Sequence, residues 1–245
     1  MKTTLFFLLS AITFFHLSAQ DTLDISNPKL QINQLKEGTD NYLVYMYNSD
    51  VDTLMSTSVW KRSVKSSKLN GIKTFTITQS WGNGIPKYSR EVYSIVNAQD
   101  FSPIYHKTIS RGKVEAYNFT GQKIIGADSV TGNSKKDFEL VTDILPYNWE
   151  LDLEMFQMLP YKKSKDLYIL YYHPGGRIEP GYYKYANQGV VSLEQPKGET
   201  PIDCYKIFIE YGNKGHATFY VSTATKKVLR MEEQFGHITR YKIRL

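Results

Sequence analysis

From residue 42 onward the apolar residues fall mostly at every second position, in short runs separated by turn-forming residues. That period predicts β-strands rather than helices. Tyr42 to Tyr47 is apolar on both faces, and strands follow at Ser56 to Lys65 and Ile72 to Trp81, where Phe75 and Ile77 alternate with Thr74, Thr76 and Thr78. Gly82-Asn83-Gly84 reads as a turn, and further strands are expected at Tyr88 to Val96, Ser102 to Ser110, Lys113 to Phe119 and Ile124 to Val130. A second block comprises Asp166 to Tyr172, Tyr182 to Tyr185, Gly189 to Glu194, Ile202 to Tyr211, Ala217 to Ser222, Lys227 to Gln234 and Ile238 to Leu245. Asn213-Lys214-Gly215 reads as a hairpin turn, and 173–181 as a loop. In the final strand Tyr241, Ile243 and Leu245 alternate with Arg240, Lys242 and Arg244, which predicts one face in solvent.

One stretch departs from this period. Between Pro146 and Pro160 the apolar residues Trp149, Leu151, Leu153, Met155, Phe156 and Leu159 fill a broad sector of a helical wheel, with Glu150, Glu154 and Gln157 along the opposite edge. Asn148 is placed to cap the start and Pro160 to mark the end. The fold class is therefore mainly β (α+β): one strongly curved antiparallel sheet, a half-barrel, wrapped around a single main helix at about 146–160. Asp152 breaks the apolar sector. A buried, unpaired carboxylate costs several kcal/mol, so it is expected either to find a tyrosine or arginine partner or to face a wet cavity.

The beginning of the chain adds a compartment. Lys2, the apolar run from Leu5 to Leu17 and the small pair Ser18-Ala19 have the layout of a signal peptide cleaved after Ala19. The run is short for a membrane anchor, no cysteine follows it to carry a lipid, and no second apolar segment offers a span. The expected organisation is a signal peptide at 1–19, a loosely ordered polar arm at 20–40 and a single β-domain at 41–245, in a periplasmic or secreted protein. Loss of Lys2 takes the formal charge from +6 to +5. The basic residues are dispersed, which makes nucleic acid an unexpected partner.

Candidate chemistry changes this picture little. Cys204 is the sole cysteine, so no internal disulfide forms, and it sits in a predicted strand as a small buried thiol. No metal-ligand spacing is present, no cofactor motif is found, and Gly175-Gly176-Arg177 is not followed by a helix start that would bind phosphate. No catalytic residue is assigned. Glu150 and Glu154, one turn apart, imitate a glycosidase pair, but such pairs flank a bond from opposite sides. Tyrosines cluster on either side of the 173–181 loop, and tyrosines serve equally to pair across strands or to line a ligand groove.

The segments Tyr88-Ser-Arg-Glu-Val-Tyr-Ser94, Phe101-Ser-Pro-Ile-Tyr105, Met158-Leu-Pro160 and Tyr220-Val-Ser-Thr-Ala-Thr-Lys-Lys-Val-Leu-Arg-Met-Glu232, with Arg240-Tyr241, resemble a family of bacterial periplasmic proteins of unknown function. That family is similar in fold to the lipoprotein carriers of the Lol type, whose curved sheet forms a half-barrel around a hydrophobic groove. The resemblance implies a non-enzymatic cell-envelope protein binding a lipid or acyl chain between sheet and helix. Trp149, Asp152, Leu153, Phe156, Tyr171 and Tyr183 are the residues expected to line that space. A filled core serving contact with another envelope protein is the alternative, and an envelope glycan hydrolase acting through Glu150 or Glu154 is a third reading.

Overall fold

The computed structural model describes residues 21–82, 85, 89–162, 166–196, 199–212 and 215–245. The expected signal peptide lies outside these residues, as do Asn83, Gly84, Asn213 and Lys214 of the two expected turns. The first series of strands is β1 (Asp21–Leu23), β2 (Gly38–Asn48), β3 (Thr53–Leu69), β4 (Ile72–Gly82), β5 (Arg90–Asn97), β6 (Pro103–Ser110), β7 (Lys113–Thr120), β8 (Lys123–Gly126) and β9 (Glu139–Val141). Then come β10 (Tyr147–Asn148), a 3-10 turn (Trp149–Leu151) and α1 (Asp152–Phe156). The chain finishes with β11 (Asp166–Tyr172), β12 (Gly181–Leu193), β13 (Ile202–Glu210), β14 (Gly215–Ser222), β15 (Val228–Phe235) and β16 (Ile238–Arg244).

These strands form one large sheet in the order β1-β11-β12-β13-β14-β15-β16-β2-β3-β4-β5-β6-β7-β8-β9, with β10 joined to β11. Two meanders, β2 to β9 and β11 to β16, meet where β16 pairs antiparallel with β2. The expectation of a purely antiparallel sheet is corrected by β1 and β10, which both run parallel to β11. A parallel pair needs a crossover too long for a hairpin, and the helical segment supplies it between β10 and β11.

Alternation sets the inner face. Tyr42 and Val44 of β2, Val64 of β3, Ile77 of β4 and Ile207 and Ile209 of β13 are buried in the same core as Leu153, Met155 and Phe156 of α1. A second cluster joins Tyr172 of β11 to Tyr117 and Phe119 of β7 and Ile124 of β8. Strands from opposite ends of the sheet order therefore meet through side chains. Gly175 permits the approach: its φ is +73°, and a Cβ there would lie 1.8 Å from the Tyr117 hydroxyl.

The helix is much shorter than the pattern at 146–160 predicts. Tyr147 and Asn148 are drawn into pairing with Tyr171 and Tyr172. Asn148 still caps, its Oδ1 accepting from Glu150 N at 3.0 Å. At the other end Gln157 N and Met158 N donate to Glu154 O and Met155 O, i to i−3, which tightens and stops the helix. The Tyr161 hydroxyl donates to Phe156 O at 2.5 Å, and Gln31 N to Met158 O at 2.8 Å, so the freed carbonyls are satisfied from elsewhere.

The 20–40 stretch, expected as a loose arm, is anchored at several of its described residues while many others are exposed. Polarity concealed its anchors: β1 adds a strand to β11, Leu23 and Leu35 are buried, and Asp24 accepts from the Tyr182 hydroxyl at 2.7 Å. The strand expected at Ile124 to Val130 ends at Gly126, where Gly126 N and Ala127 N turn to Phe138 O and Ala116 O. The two strands expected at 182–185 and 189–194 are one, β12, with a register shift between Asn187 and Val190. Among the described residues no helix is long and apolar enough to cross a membrane.

Candidate functional site

The helical segment and the inner sheet face enclose a packed core on one side and an open cleft of about 620 Å³ on the other. That volume lies within the range of small-molecule sites. The three tryptophans of the chain, Trp60, Trp81 and Trp149, all line it. Trp60 of β3 stacks on Trp81 of β4 with ring centroids 4.4 Å apart, as their cross-strand pairing dictates. Trp149 stacks on His173 at 4.9 Å and Tyr171 at 5.5 Å, and tilts against Tyr183 at 4.0 Å. Tyr211, Phe219 and Met231 extend the apolar wall.

Charges are set into the same surface. Arg62 of β3 is held by Glu154, Nε to Oε1 at 2.9 Å, with each side chain only 4% exposed. Burial alone would lower the arginine's pKa, but the adjacent Glu154 carboxylate outweighs it and raises the pKa further. Glu150 takes both guanidinium nitrogens of Arg90, at 2.9 and 2.7 Å. Here burial would raise the pKa, and the Arg90 contact overrides it and brings Glu150 down to about 2. Arg62 Nη2 and Gln79 Nε2 both donate to Glu150 O. The helical segment is thereby fixed by strands on its polar edge as well as its apolar one. Glu150, Glu154 and Gln157, the polar edge of the helical wheel, are largely withdrawn from water, with Arg62 of β3 and Arg90 of β5 supplying the counter-charges of the two glutamates.

Two opposite charges stay apart. Lys242 of β16 is 6% exposed and lies over the Trp60 ring at 4.5 Å. Burial pushes its pKa down to about 8, with Arg240 adding to the effect and Asp152 opposing it. Asp152, half-buried in the cleft wall, accepts among the described residues only from Leu153 N, at 2.7 Å. Burial raises its pKa despite the nearby charges of Lys242 and Arg62. Of the two environments expected for Asp152, it occupies the open cavity. β16 also corrects the sequence reading of its faces: Arg240 and Lys242 point inward to the cleft, whereas Tyr241 stacks on Tyr45 at 5.0 Å.

Of the six residues expected to line a ligand space, Trp149, Asp152 and Tyr183 line the cleft. Leu153, Phe156 and Tyr171 lie in the packed core, each at most 2% exposed. Trp60, Arg62, Gln79, Trp81 and Lys242 were not singled out. The alternation of Trp60, Arg62 and Val64 on one face of β3 carries a signal, a charge set between apolar residues. His106 is buried beside the segment, its Nδ1 2.9 Å from Asn148 Nδ2 and from Ser94 Oγ. An amide nitrogen only donates, so Nδ1 accepts and the imidazole is neutral; burial accordingly lowers its pKa to about 4. Cys204 is fully buried as expected, its pKa pushed up to about 11 by burial.

No curated protein matches the chain. Among solved structures, a β-barrel-like protein of the DUF1849 domain of unknown function from Brucella abortus is similar in fold, with a TM-score of 0.51 at 6% identity, over 85% of this chain and 97% of that one. A DUF1329 family protein from Desulfovibrio piger aligns over 88% of this chain and 86% of its own at 10% identity, with a TM-score of 0.33. Residues 41–243 match the family described as a protein of unknown function, DUF3108, and the chain belongs to that family.

Proposed function

We propose that the chain is an exported, non-enzymatic protein of the cell envelope whose curved sheet acts as a half-barrel and whose cleft holds an amphipathic molecule, a lipid or a lipoprotein acyl chain. The observation that carries this reading is the convergence of all three tryptophans with Tyr183 and Tyr211 on one open, concave surface. Apolar surface withdrawn from water there contributes roughly 25 cal/mol per Å², and the charges around it orient a polar end. The Met1 to Ala19 segment supports export. The hydrolase reading loses support because the oxygens of Glu150 and Glu154 are already engaged by Arg90 and Arg62. The interaction-module reading draws on the solid packing of Leu153, Met155 and Phe156, which limits an occupant to the cleft beside them.

The test is to purify the chain without residues 1–19, examine it by native mass spectrometry and lipid extraction, and titrate it with a fluorescent fatty acid. The expected result is co-purified amphiphile, or saturable probe binding that shifts tryptophan emission. Bare protein, with neither probe binding nor an emission change, would leave the interaction module as the better reading.

A further inference from the structure

The charge inventory of the cleft narrows the kind of head group it fits, given the amphiphile-binding reading above. Arg62 is paired with Glu154, Arg90 with Glu150 and Arg240 with Glu233. These pairs neutralise one another within the wall. Lys242 and Asp152 are left over. Both line the cleft, yet among the described residues neither makes an ion-pair contact, with the other or with any third group. A nearly buried ammonium without a counter-charge is costly, and a ligand anion beside it relieves that cost. A lone anion would, however, also meet the unpaired carboxylate of Asp152. A lone cation would meet Lys242. A ligand carrying both charges satisfies both groups.

We propose that the cleft recognises a zwitterionic amphiphile, its anionic group on Lys242 Nζ, its ammonium on the Asp152 carboxylate and its apolar body along Trp60, Trp149 and Tyr183. Burial of Lys242, which pushes its pKa down to about 8, agrees with a site completed by an incoming anion.

Tryptophan emission and calorimetry on the mature chain test this with four probes of one chain length, each below its micelle concentration: dodecyl phosphoethanolamine, dodecyl phosphate, dodecylamine and dodecyl maltoside. The zwitterion is expected to bind about tenfold more tightly than any of the other three. Asp152→Asn should move the preference to dodecyl phosphate and Lys242→Met should move it to dodecylamine, with thermal melts confirming that each variant is folded. Equal binding of all four probes would overturn the head-group assignment and leave amphiphile binding standing. Tightest binding of the phosphate or the amine by the unaltered protein would overturn it too. Binding of none of the four would remove the amphiphile reading itself.

Discussion

On its buried side the 149–156 segment sends Phe156, fully buried, against Phe219 and Tyr185, with ring centroids 4.7 and 5.4 Å apart. On its other side Trp149 stacks on His173 and tilts against Tyr183 at the margin of a cleft. The ionic groups divide in the same way: Arg62 and Glu154 are closed on each other in the interior, while Lys242 and Asp152 face an opening unpaired. Aromatic content is similar on both sides, so hydrophobicity does not separate core from cleft. What separates them is completeness, since in the core the ring of Phe156 and the charges of Arg62 and Glu154 each find their complement within the chain.

Truncation should expose that asymmetry most strongly. Phe156→Ala is expected to cost about 3 to 5 kcal/mol in urea unfolding, because it leaves a cavity in close-packed surroundings. Trp149→Ala, a larger deletion on the cleft side, should cost only about 1 to 2 kcal/mol, since its ring is already partly in water. Equal losses would mean that the cleft is as tightly packed as the core. A second contrast lies between the two ion pairs. Arg62→Met strands Glu154 in the interior and should cost about 3 to 5 kcal/mol, most of it recovered in the double variant with Glu154→Gln. Arg90→Met, in a pair with more solvent access, should cost about 1 kcal/mol by the same measurement.

A further contrast is a dependence on pH. His106 has its pKa lowered from 6.5 to about 4 by burial, so between those values the unfolded chain takes up a proton that the folded chain resists. Stability therefore falls as pH drops through this window, and His106→Gln should flatten that part of the curve. A wild-type minus variant difference that stays level from pH 7 to about pH 4 would show that His106 is not held neutral.

Strand period made the sheet legible where burial follows alternation, as at Val92, Ser94 and Val96 of β5 and at Tyr205, Ile207 and Ile209 of β13. The helix was legible in position but not in length, since its wheel has no knowledge that Tyr147 and Asn148 bond to β11. The cleft was half legible. Trp149, Asp152 and Tyr183 stood out beside the segment, but Arg62, Gln79 and Lys242 reach it from distant strands, and a polar residue in a strand is ordinarily assigned to solvent. β16 is the plainest case, as its basic face read as wet and is the inner one. Polarity reports whether a residue meets water or an opposite charge without distinguishing between them.

The position of β16 bears on how the sheet is assembled. It is the last of the described strands, yet it lies at the middle of the sheet and joins the two meanders, with Ile238 to Ile243 paired on one side with β15 and on the other with β2. The first meander can form from near neighbours as the chain emerges, but the seam waits for contacts spanning almost the entire sequence. Such non-local closure is entropically slow. Until it occurs, β2 and β15 each present an unpaired edge, the kind of surface on which strands of other molecules add.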